Sequence, residues 1–325
     1  MAKNTNEFFI KSPLNYIGGK HKILSQIMPL FPDNINRFVD LFAGGGNVGL
    51  NVSAKKIILN DNLIHLIDLY KKLQKTSVKK VLEHIHKRIE DYSLSLTNNY
   101  GYIKLRKFYN EAKEPLDLFV LASYSFNHQI RFNNSHEFNS PFGKERSCFN
   151  SSIELNLKSF ISKLQRLDIK LYSRNFDNFD LSFLGVNDFV YCDPPYLITT
   201  GTYNDGKRGF TGWSEREETS LLKKLDELNS KGIRFALSNV IQHKGKTNTM
   251  LENWISENSD YIINHIKMDY SNSNYQMKNR DKLTTLEILI TNYVPHATNT
   301  LQQQLPLIPF EREHNEIHWQ QRKFA

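Results

Sequence analysis

RFVDLFAGGGNVGLNVSAKKIILND, from Arg37 to Asp61, is the stretch that decides the fold. Residues 37–42 and 56–60 are short apolar runs of the kind that pack as buried parallel strands, and Gly44, Gly45 and Gly46 follow the first of them. Glycine tolerates positive φ and lets a ligand approach the backbone closely, although a tight structural turn uses the same residues. The next five residues, Asn47-Val48-Gly49-Leu50-Asn51, are compatible with a helix. Asp61 closes the second run roughly 20 residues beyond the first strand's end region, where nucleotide-type folds place an acid on the ribose hydroxyls. It serves equally well as an N-cap for a helix opening near Leu63.

Working outward, the pattern changes between Leu63 and about Leu167. Leu63, Leu66, Ile67, Tyr70 and Leu73 recur at helical spacing, and similar stretches cover 78–89, 102–109 and 116–126, so this block reads as a helical insertion. Strand signals return at 169–173, 188–192, 233–238, 261–268 and 285–293, with helical patterns at 215–229 and 247–257. Alternation of this kind predicts an α/β fold with helices on both faces of a mostly parallel sheet. The last two strands are joined by the polar segment SNSNYQMKNRDK (271–282), too short for a crossover helix, which predicts an antiparallel pair at the sheet edge. From about Pro295 the chain is rich in Gln and Pro and carries no recognisable chemistry.

Composition narrows the function. The 325 residues are 39% hydrophobic, enough for a real core, and carry a formal charge of +8, which favours a polyanionic partner through counterion release. Solvated surface charge gives the same number. Cys148 and Cys192 match neither a disulfide framework nor a zinc site, so the expectation is a reducing cytoplasm and no metal. The first residues lack a signal-peptide core and no apolar run approaches the roughly 18 residues of a membrane span. A soluble protein without membrane contact is expected.

The chemistry concentrates in residues 188–196, DFVYCDPPY. An apolar strand ends in Asp193-Pro194-Pro195-Tyr196, which sets a carboxylate, a stiff backbone and an aromatic ring at the carboxyl edge of the sheet, where open α/β folds bind ligands. Prolines remove backbone donors and leave carbonyl acceptors. An exocyclic amine conjugated to a ring is a poor nucleophile, and two acceptors on its hydrogens favour the pyramidal form that attacks; the Asp193 carboxylate and the Pro194 carbonyl suit that role. Tyr196 could stack on an extruded base for about 1–3 kcal/mol. The competing reading is a proline turn with Asp193 exposed. Cys192 reads as a small buried strand residue. The chain contains no G-x-G-x-x-G or P-loop, so a dinucleotide or nucleoside triphosphate is disfavoured, whereas an adenosyl ligand without phosphates needs no phosphate cradle.

Taken in order, these segments resemble the Dam-type (alpha-class) adenine-N6 DNA methyltransferases over nearly the whole chain up to about Tyr293. PLNYIGGK at 13–20 resembles the family's N-terminal cofactor motif, which implies that Tyr16 and Lys20 contact S-adenosyl-L-methionine. Residues 38–46 resemble the motif that cups methionine, implying roles for Asp40, Phe42 and Gly44, with Asp61 as the ribose acid and Asp193-Tyr196 as the catalytic loop. After the third strand the family commonly has Asp-Phe, the acid meeting the cofactor's adenine amine; this chain reads Asn175-Phe176, and an amide oxygen accepts the same hydrogen bond without charge. LSN at 237–239 and EILITNY at 287–293 resemble later family strands.

The segments FNHQIRFN (126–133) and EFNSPFGK (137–144) resemble the family's recognition hairpin, implying DNA contacts from Phe126, Asn127, Gln129, Arg131, Asn133, Pro141 and Lys144, with Arg146 nearby. Arg131 can read a guanine edge in bidentate fashion, and a solvated basic hairpin is the plain alternative. Lys278, Arg280 and Lys282 in the 271–282 loop are candidate backbone contacts. The resemblance implies a Rossmann-like catalytic domain at 1–62 and 152–294, an inserted, mainly helical target-recognition domain with a β-hairpin at 63–151, and a tail at 295–325. It further implies a monomer in a bacterial or phage-type cytoplasm, acting on double-stranded DNA, with a cognate restriction endonuclease encoded separately. Methylation of adenine in RNA and a DNA-binding homologue without catalysis are the rival functions.

Overall fold

The computed structural model describes residues 9–199, 213–267 and 285–295, together with two-residue strands at Ile308–Pro309 and Trp319–Gln320. Strand β1 (Ile35–Asp40) lies parallel to β2 (Ala54–Asn60) on one side and to β4 (Phe189–Cys192) on the other; β3 (Ile169–Tyr172) continues beyond β2, and β5 (Arg234–His243) beyond β4. With the short β6 (Lys246–Thr247) folded back on β5, β7 (Ile262–Ile266) and β8 (Leu286–Thr291), the main order is β3-β2-β1-β4-β5-β8-β7. The mostly parallel α/β sheet is as expected, and the last two strands do pair antiparallel. The antiparallel member, β8, sits between β5 and β7, so β7 takes the edge.

Alternation within the strands explains the continuous apolar runs. Phe38, Phe189 and Tyr191 enter one buried cluster, while Val39, Val190 and Cys192 enter the cluster on the opposite face. A sheet covered on both faces needs apolar residues at both parities. The second face is closed by α7 (Glu215–Ser230) and α8 (Thr249–Glu257) through Leu221, Leu225, Leu251 and Trp254.

After a one-turn helix α1 (Leu24–Ile27), the predicted helical block forms α2 (Ile64–Lys75), α3 (Val78–Asp91), α4 (Asn99–Ala112), α5 (Pro115–Tyr124) and α6 (Ser151–Arg166). Every residue of α5 from Leu116 to Tyr124 is buried, which is why its sequence shows little amphipathic contrast. Tyr70 of α2, Leu121 of α5 and Phe160 of α6 belong to the same apolar cluster as Phe38 and Leu59 of the sheet, so the block has a core continuous with the sheet.

One expectation changes. Residues 47–51 form consecutive turns and not a helix. The chain crosses from Asp40 to Ala54 in a short span, and Gly49 is pressed so closely on β2 that a Cβ there would lie 2.2 Å from Leu59 Cδ2. The expected loop at 271–282, with Lys278, Arg280 and Lys282, lies outside the described residues, as does most of the 295–325 tail. Among the described residues no helix is long and apolar enough to cross a membrane.

Gly101, in the first turn of α4, is the tightest corner of the helical block: a Cβ there would stand 2.0 Å from the Tyr92 carbonyl oxygen and 2.8 Å from Asn98 Nδ2. Backbone does not yield as a flexible side chain does. Gly101→Ala is expected to cost about 1–3 kcal/mol of stability, measured by urea unfolding, despite alanine's better helix propensity. An unchanged midpoint would mean the corner is loose.

Candidate active site

The carboxyl ends of β1, β2, β3 and β4 deliver Asp40 and Phe42, Asp61, Asn175 and Phe176, and Asp193 to Tyr196 to one edge of the sheet. The N-terminal segment is laid against the same edge by asparagine side chains. Asn51 both accepts the Ile10 amide (2.9 Å) and donates to the Ile10 carbonyl (2.8 Å), and Asn47 Oδ1 accepts the Ser12 amide at 2.9 Å. The turn at 47–51 thus docks the irregular segment leading to Tyr16 and Lys20, a role the sequence did not suggest.

Gly44 is fixed from three sides. Its amide donates to Asp61 Oδ2 (2.9 Å), its carbonyl accepts the Tyr70 hydroxyl (2.7 Å), and the Tyr16 ring lies 3.0 Å from where a Cβ would be, at φ +46°. The glycine is required both by its left-handed backbone and by the aromatic ring seated on it. Asp61 Oδ1 accepts the Leu63 amide at 2.9 Å, so the acid organises the turn before α2 while holding the glycine loop. Burial raises its pKa, opposed by these two amides, and burial followed by the charge of Asp61 raises the phenols of Tyr16 and Tyr70 well above their usual range. Both tyrosines are therefore neutral at physiological pH.

The centre of the site is a buried ionic knot. Lys20 Nζ, with Lys20 only 3% exposed, lies 2.7 Å from Asp193 Oδ1 and 3.8 Å from Glu287 Oε1, donates to the Gly18 carbonyl at 2.9 Å, and stands 5.1 Å from the Tyr196 ring centroid. The Tyr196 hydroxyl is 3.1 Å from both Asp193 Oδ1 and Glu287 Oε1. One phenolic hydrogen is shared between two carboxylates. Tyr196 is 8% exposed, so its ring is part of the knot and not an open platform, and Pro194 is buried while Pro195 is exposed. Removing one partner of such a pair typically costs about 3–5 kcal/mol because the other charge is left buried.

Glu287 is the residue that the sequence reading passed over. It sits in β8, within LEILIT, with 1% exposure. A lone acid in an apolar central strand was the available signal, since buried carboxylates are rare unless paired.

Carboxylates outnumber ammonium groups here. Burial raises the pKa of Asp193, with Lys20 pulling it back down, and burial together with the neighbouring Asp193 charge raises that of Asp40 much further. Amides of Gly49 and Phe42 bond to the Asp40 carboxylate, yet its Oδ1 is buried without a partner among the described residues. The cluster suits a cationic ligand. Beside it Phe42 and Phe176 pack with centroids 5.3 Å apart, while Asn175 Oδ1 accepts the Asp177 amide (2.9 Å) and so caps its own short turn. Cys192 is fully buried and burial pushes its thiol far up, as befits an inert strand residue.

The segment expected to meet DNA is an irregular hairpin: Phe132 bridges Phe138 antiparallel, the Asn139 amide bonds to the Arg131 carbonyl, and the Asn133 amide bonds to the Glu137 carbonyl. The Arg131 guanidinium bonds to Gln129 Oε1, so these two predicted residues share one contact. Asn133 spends its side chain within the loop, accepting the Ser135 and Glu137 amides and donating to Glu137 Oε2. Phe126 is 37% exposed beneath the Arg146 guanidinium at 4.8 Å, the Pro141 carbonyl accepts the Phe126 amide, and Lys144 is exposed beside Glu145. Asn127, at φ 54°, offers its carbonyl to Asn15 Nδ2 at 2.9 Å, linking the hairpin root to the segment that carries Tyr16.

The hairpin is held by one face of α4. Tyr102 and Arg106 donate to the Ser140 carbonyl, Asn110 to that of Phe138 and Lys113 to that of His136, while His65 of α2 stacks on Phe132 at 4.4 Å. Spacing of four residues puts Tyr102, Arg106 and Asn110 on one stripe, and Lys113 follows as the C-cap residue of α4. Among the described residues no cluster of three metal-ligating side chains occurs.

A family model described as D12 class N6 adenine-specific DNA methyltransferase matches residues 16–275. The chain is 50% identical over 297 residues to the Type II methyltransferase M.FokI of Planomicrobium okeanokoites, covering 91% of this chain and 45% of that protein. It is 50% identical over 293 residues to the modification methylase StsI of Streptococcus sanguinis, covering 90% of this chain and 44% of that one. The DNA adenine methylase of Haemophilus influenzae is 30% identical over 210 residues, 63% of this chain and 68% of the relative. The chain thus spans less than half the length of the first two relatives.

Two predictions follow from this geometry. A carboxyl whose folded pKa is raised stabilises the fold while protonated, and that contribution is lost as pH rises from the unfolded value through the folded one. Asp40→Asn removes that loss, so its thermal midpoint should exceed that of the wild type by more at pH 8 than at pH 4; a gap independent of pH would contradict the burial argument. Asn110 both donates to the Phe138 carbonyl and accepts its amide (2.8 Å). Asn110→Ala should therefore accelerate amide exchange in residues 131–139 while leaving protection in β1 and β4 unchanged.

Proposed function

The chain belongs to the D12 class N6 adenine-specific DNA methyltransferases, and we propose on that premise that it methylates the N6 amine of an adenine extruded from duplex DNA at a specific site. When bound, S-adenosyl-L-methionine supplies an electrophilic methyl on a sulfonium and leaves as a neutral thioether. The residues fit such a ligand: the cluster of Asp40, Asp61, Asp193 and Glu287 is rich in carboxylates, and Asp40 Oδ1 lacks a partner among the described residues. Tyr16, Lys20, Asp40, Phe42 and Gly44 would hold its amino-acid end, Asp61 its ribose, and Phe176 with Asn175 its base.

The observation that carries the reading is Asp193 held at the carboxyl edge by Lys20 and Tyr196. With its Oδ1 already occupied, Oδ2 is the acceptor for one amine hydrogen, and the Pro194 carbonyl is the acceptor for the other. These two contacts favour the pyramidal nitrogen, and the charge of Asp193 stabilises the positive charge that develops on the amine until its proton is released. The Lys20 ammonium pulls the Asp193 pKa down against the burial that raises it, and so favours the ionised acceptor. The target base is extruded at a cost of a few kcal/mol, offset by contacts in the pocket.

Phe126, Asn127, Gln129, Arg131, Asn133, Pro141 and Lys144 form the proposed DNA face of the 63–151 recognition unit. Arg131, prearranged by Gln129, is the base reader, Lys144 a phosphate contact, and Asn133 shapes the loop. M.FokI is named a Type II methyltransferase and StsI a modification methylase, which supports a restriction-modification role beside a separately encoded endonuclease.

Transfer of labelled methyl groups to unmethylated duplex DNA is expected from the wild type. Asp193→Ala should lower it by at least about 10²–10³-fold while retaining DNA binding, because its role is at the amine. Comparable turnover by the variant would reject the role. Arg131→Ala should relax discrimination at one base pair by about 1–3 kcal/mol, read from transfer rates across single-base variants of the site; unchanged preference at every position would contradict it.

A further inference from the structure

Glu218 is a carboxylate in an unusual place. It lies in the first turn of α7, where Ser214 and Glu217 already form a complete capping box, so the helix does not need it as a cap. It is fully buried, on the same helix as the buried Leu221, Leu222 and Leu225. No cation pairs with it among the described residues. Its Oε1 accepts Asn239 Nδ2 at 3.0 Å and Asn248 Nδ2 at 3.1 Å, and its Oε2 accepts the Trp213 indole N–H at 2.5 Å. Neutral donors thus satisfy a charge that a leucine or glutamine at this position would avoid burying. Burial raises its pKa accordingly.

The three donors come from different parts of the fold. Asn239 belongs to β5, and Asn248 caps α8 through its Oδ1, which accepts the Leu251 amide at 3.1 Å. Glu218 therefore joins β5, α7 and the start of α8, and the remaining bond extends from this rigid junction to one indole. That indole packs edge-on to Phe42 with centroids 5.6 Å apart and tilted on Phe176 at 5.3 Å. Phe42 follows β1 and Phe176 follows β3, on either side of β2, whose end carries Asp61. Phe42 and Trp213 are both only partly buried, so the group presents ring surface at the sheet edge and is not closed core. A planar aromatic base is the ligand that such flat, apolar, edge-anchored rings recognise.

We propose that Trp213 is a wall of the nucleoside pocket, contacting the adenine of the methyl donor, and that buried Glu218 is the positioning residue that fixes the indole through its N–H. This rests on the function proposed above. A charge-assisted hydrogen bond sets the ring plane more firmly than packing does, because it specifies direction. Asn239 and Asn248 hold the carboxylate so that its second oxygen faces the indole.

The full chain has three tryptophans, Trp213, Trp254 and Trp319, so emission can be assigned by substitution. S-adenosylhomocysteine is titrated into wild type, Trp213→Leu, Trp213→Phe and Glu218→Gln, with tryptophan emission and calorimetry as separate readouts. The wild type is expected to change emission on saturation and Trp213→Phe to lose that change. Binding should weaken at least about tenfold in Trp213→Leu, with partial recovery in Trp213→Phe. Glu218→Gln should weaken binding about three- to tenfold and raise KM for the methyl donor with kcat within about twofold. Calorimetric affinity within twofold of wild type in a folded Trp213→Leu, with wild-type binding intact, overturns the wall and leaves the enzyme reading standing. An emission change that survives Trp213→Phe overturns it as well. Absence of wild-type binding in calorimetry overturns the proposed function and this inference together.

Discussion

The buried pair between Lys20 and Asp193 is the contact on which the site depends. The two residues lie far apart in sequence, one on a segment that precedes the sheet and the other on the loop after β4. Asparagines at 47 and 51 lay the first segment along the glycine turn, and the apolar alternation of β4 pushes the second out at the carboxyl edge. The ammonium then does three things at once. It neutralises one of several crowded carboxylates, orients Asp193, and with Glu287 and the Tyr196 hydroxyl closes a ring of ionic and hydrogen-bonded contacts. Without it the same acids would repel one another and take up protons.

An excess of buried negative charge is costly, and its retention at one edge of the sheet is what gives the site its character. Asp40, Asp61, Asp193 and Glu287 all reach that edge, and Asp40 keeps an oxygen without a partner among the described residues. Active sites tolerate such strain where a ligand relieves it. The aromatic group of Phe42, Phe176 and Trp213 packs together at the same edge, so charge and flat apolar surface share one end of the sheet. That juxtaposition suits a cationic, base-bearing molecule better than a phosphate-rich one.

Most of the architecture was legible in the chain. The runs at 37–42, 56–60 and 188–192 became β1, β2 and β4 because strands buried on both faces must be apolar throughout, and that signal is local. The position of β8 inside the sheet was not legible, since strand order depends on pairings far apart in sequence, and the turn at 47–51 looked helical until the contact of Gly49 with Leu59 was visible. In the site, Asp61 and Gly44 were readable from spacing, and Lys20 only through family resemblance. Glu287 was hidden in an apolar strand, and Trp213 and the donor stripe of α4 have no motif because their partners are backbone carbonyls or a carboxylate elsewhere in the chain. Asn133 and Asn175 show the converse, as residues of the right type that spend side-chain oxygens on their own turns.

The central claim is that this arrangement of residues methylates the exocyclic amine of adenine in duplex DNA. Nucleoside analysis after incubation of the full chain with methyl-labelled S-adenosylmethionine and unmethylated duplex DNA, with matched duplex RNA in a parallel reaction, tests it most directly. The account predicts that the label appears as N6-methyladenine from the DNA and is absent from the RNA. Label in cytosine or in RNA alone, or no N6-methyladenine from protein that binds both DNA and the methyl donor, would contradict it.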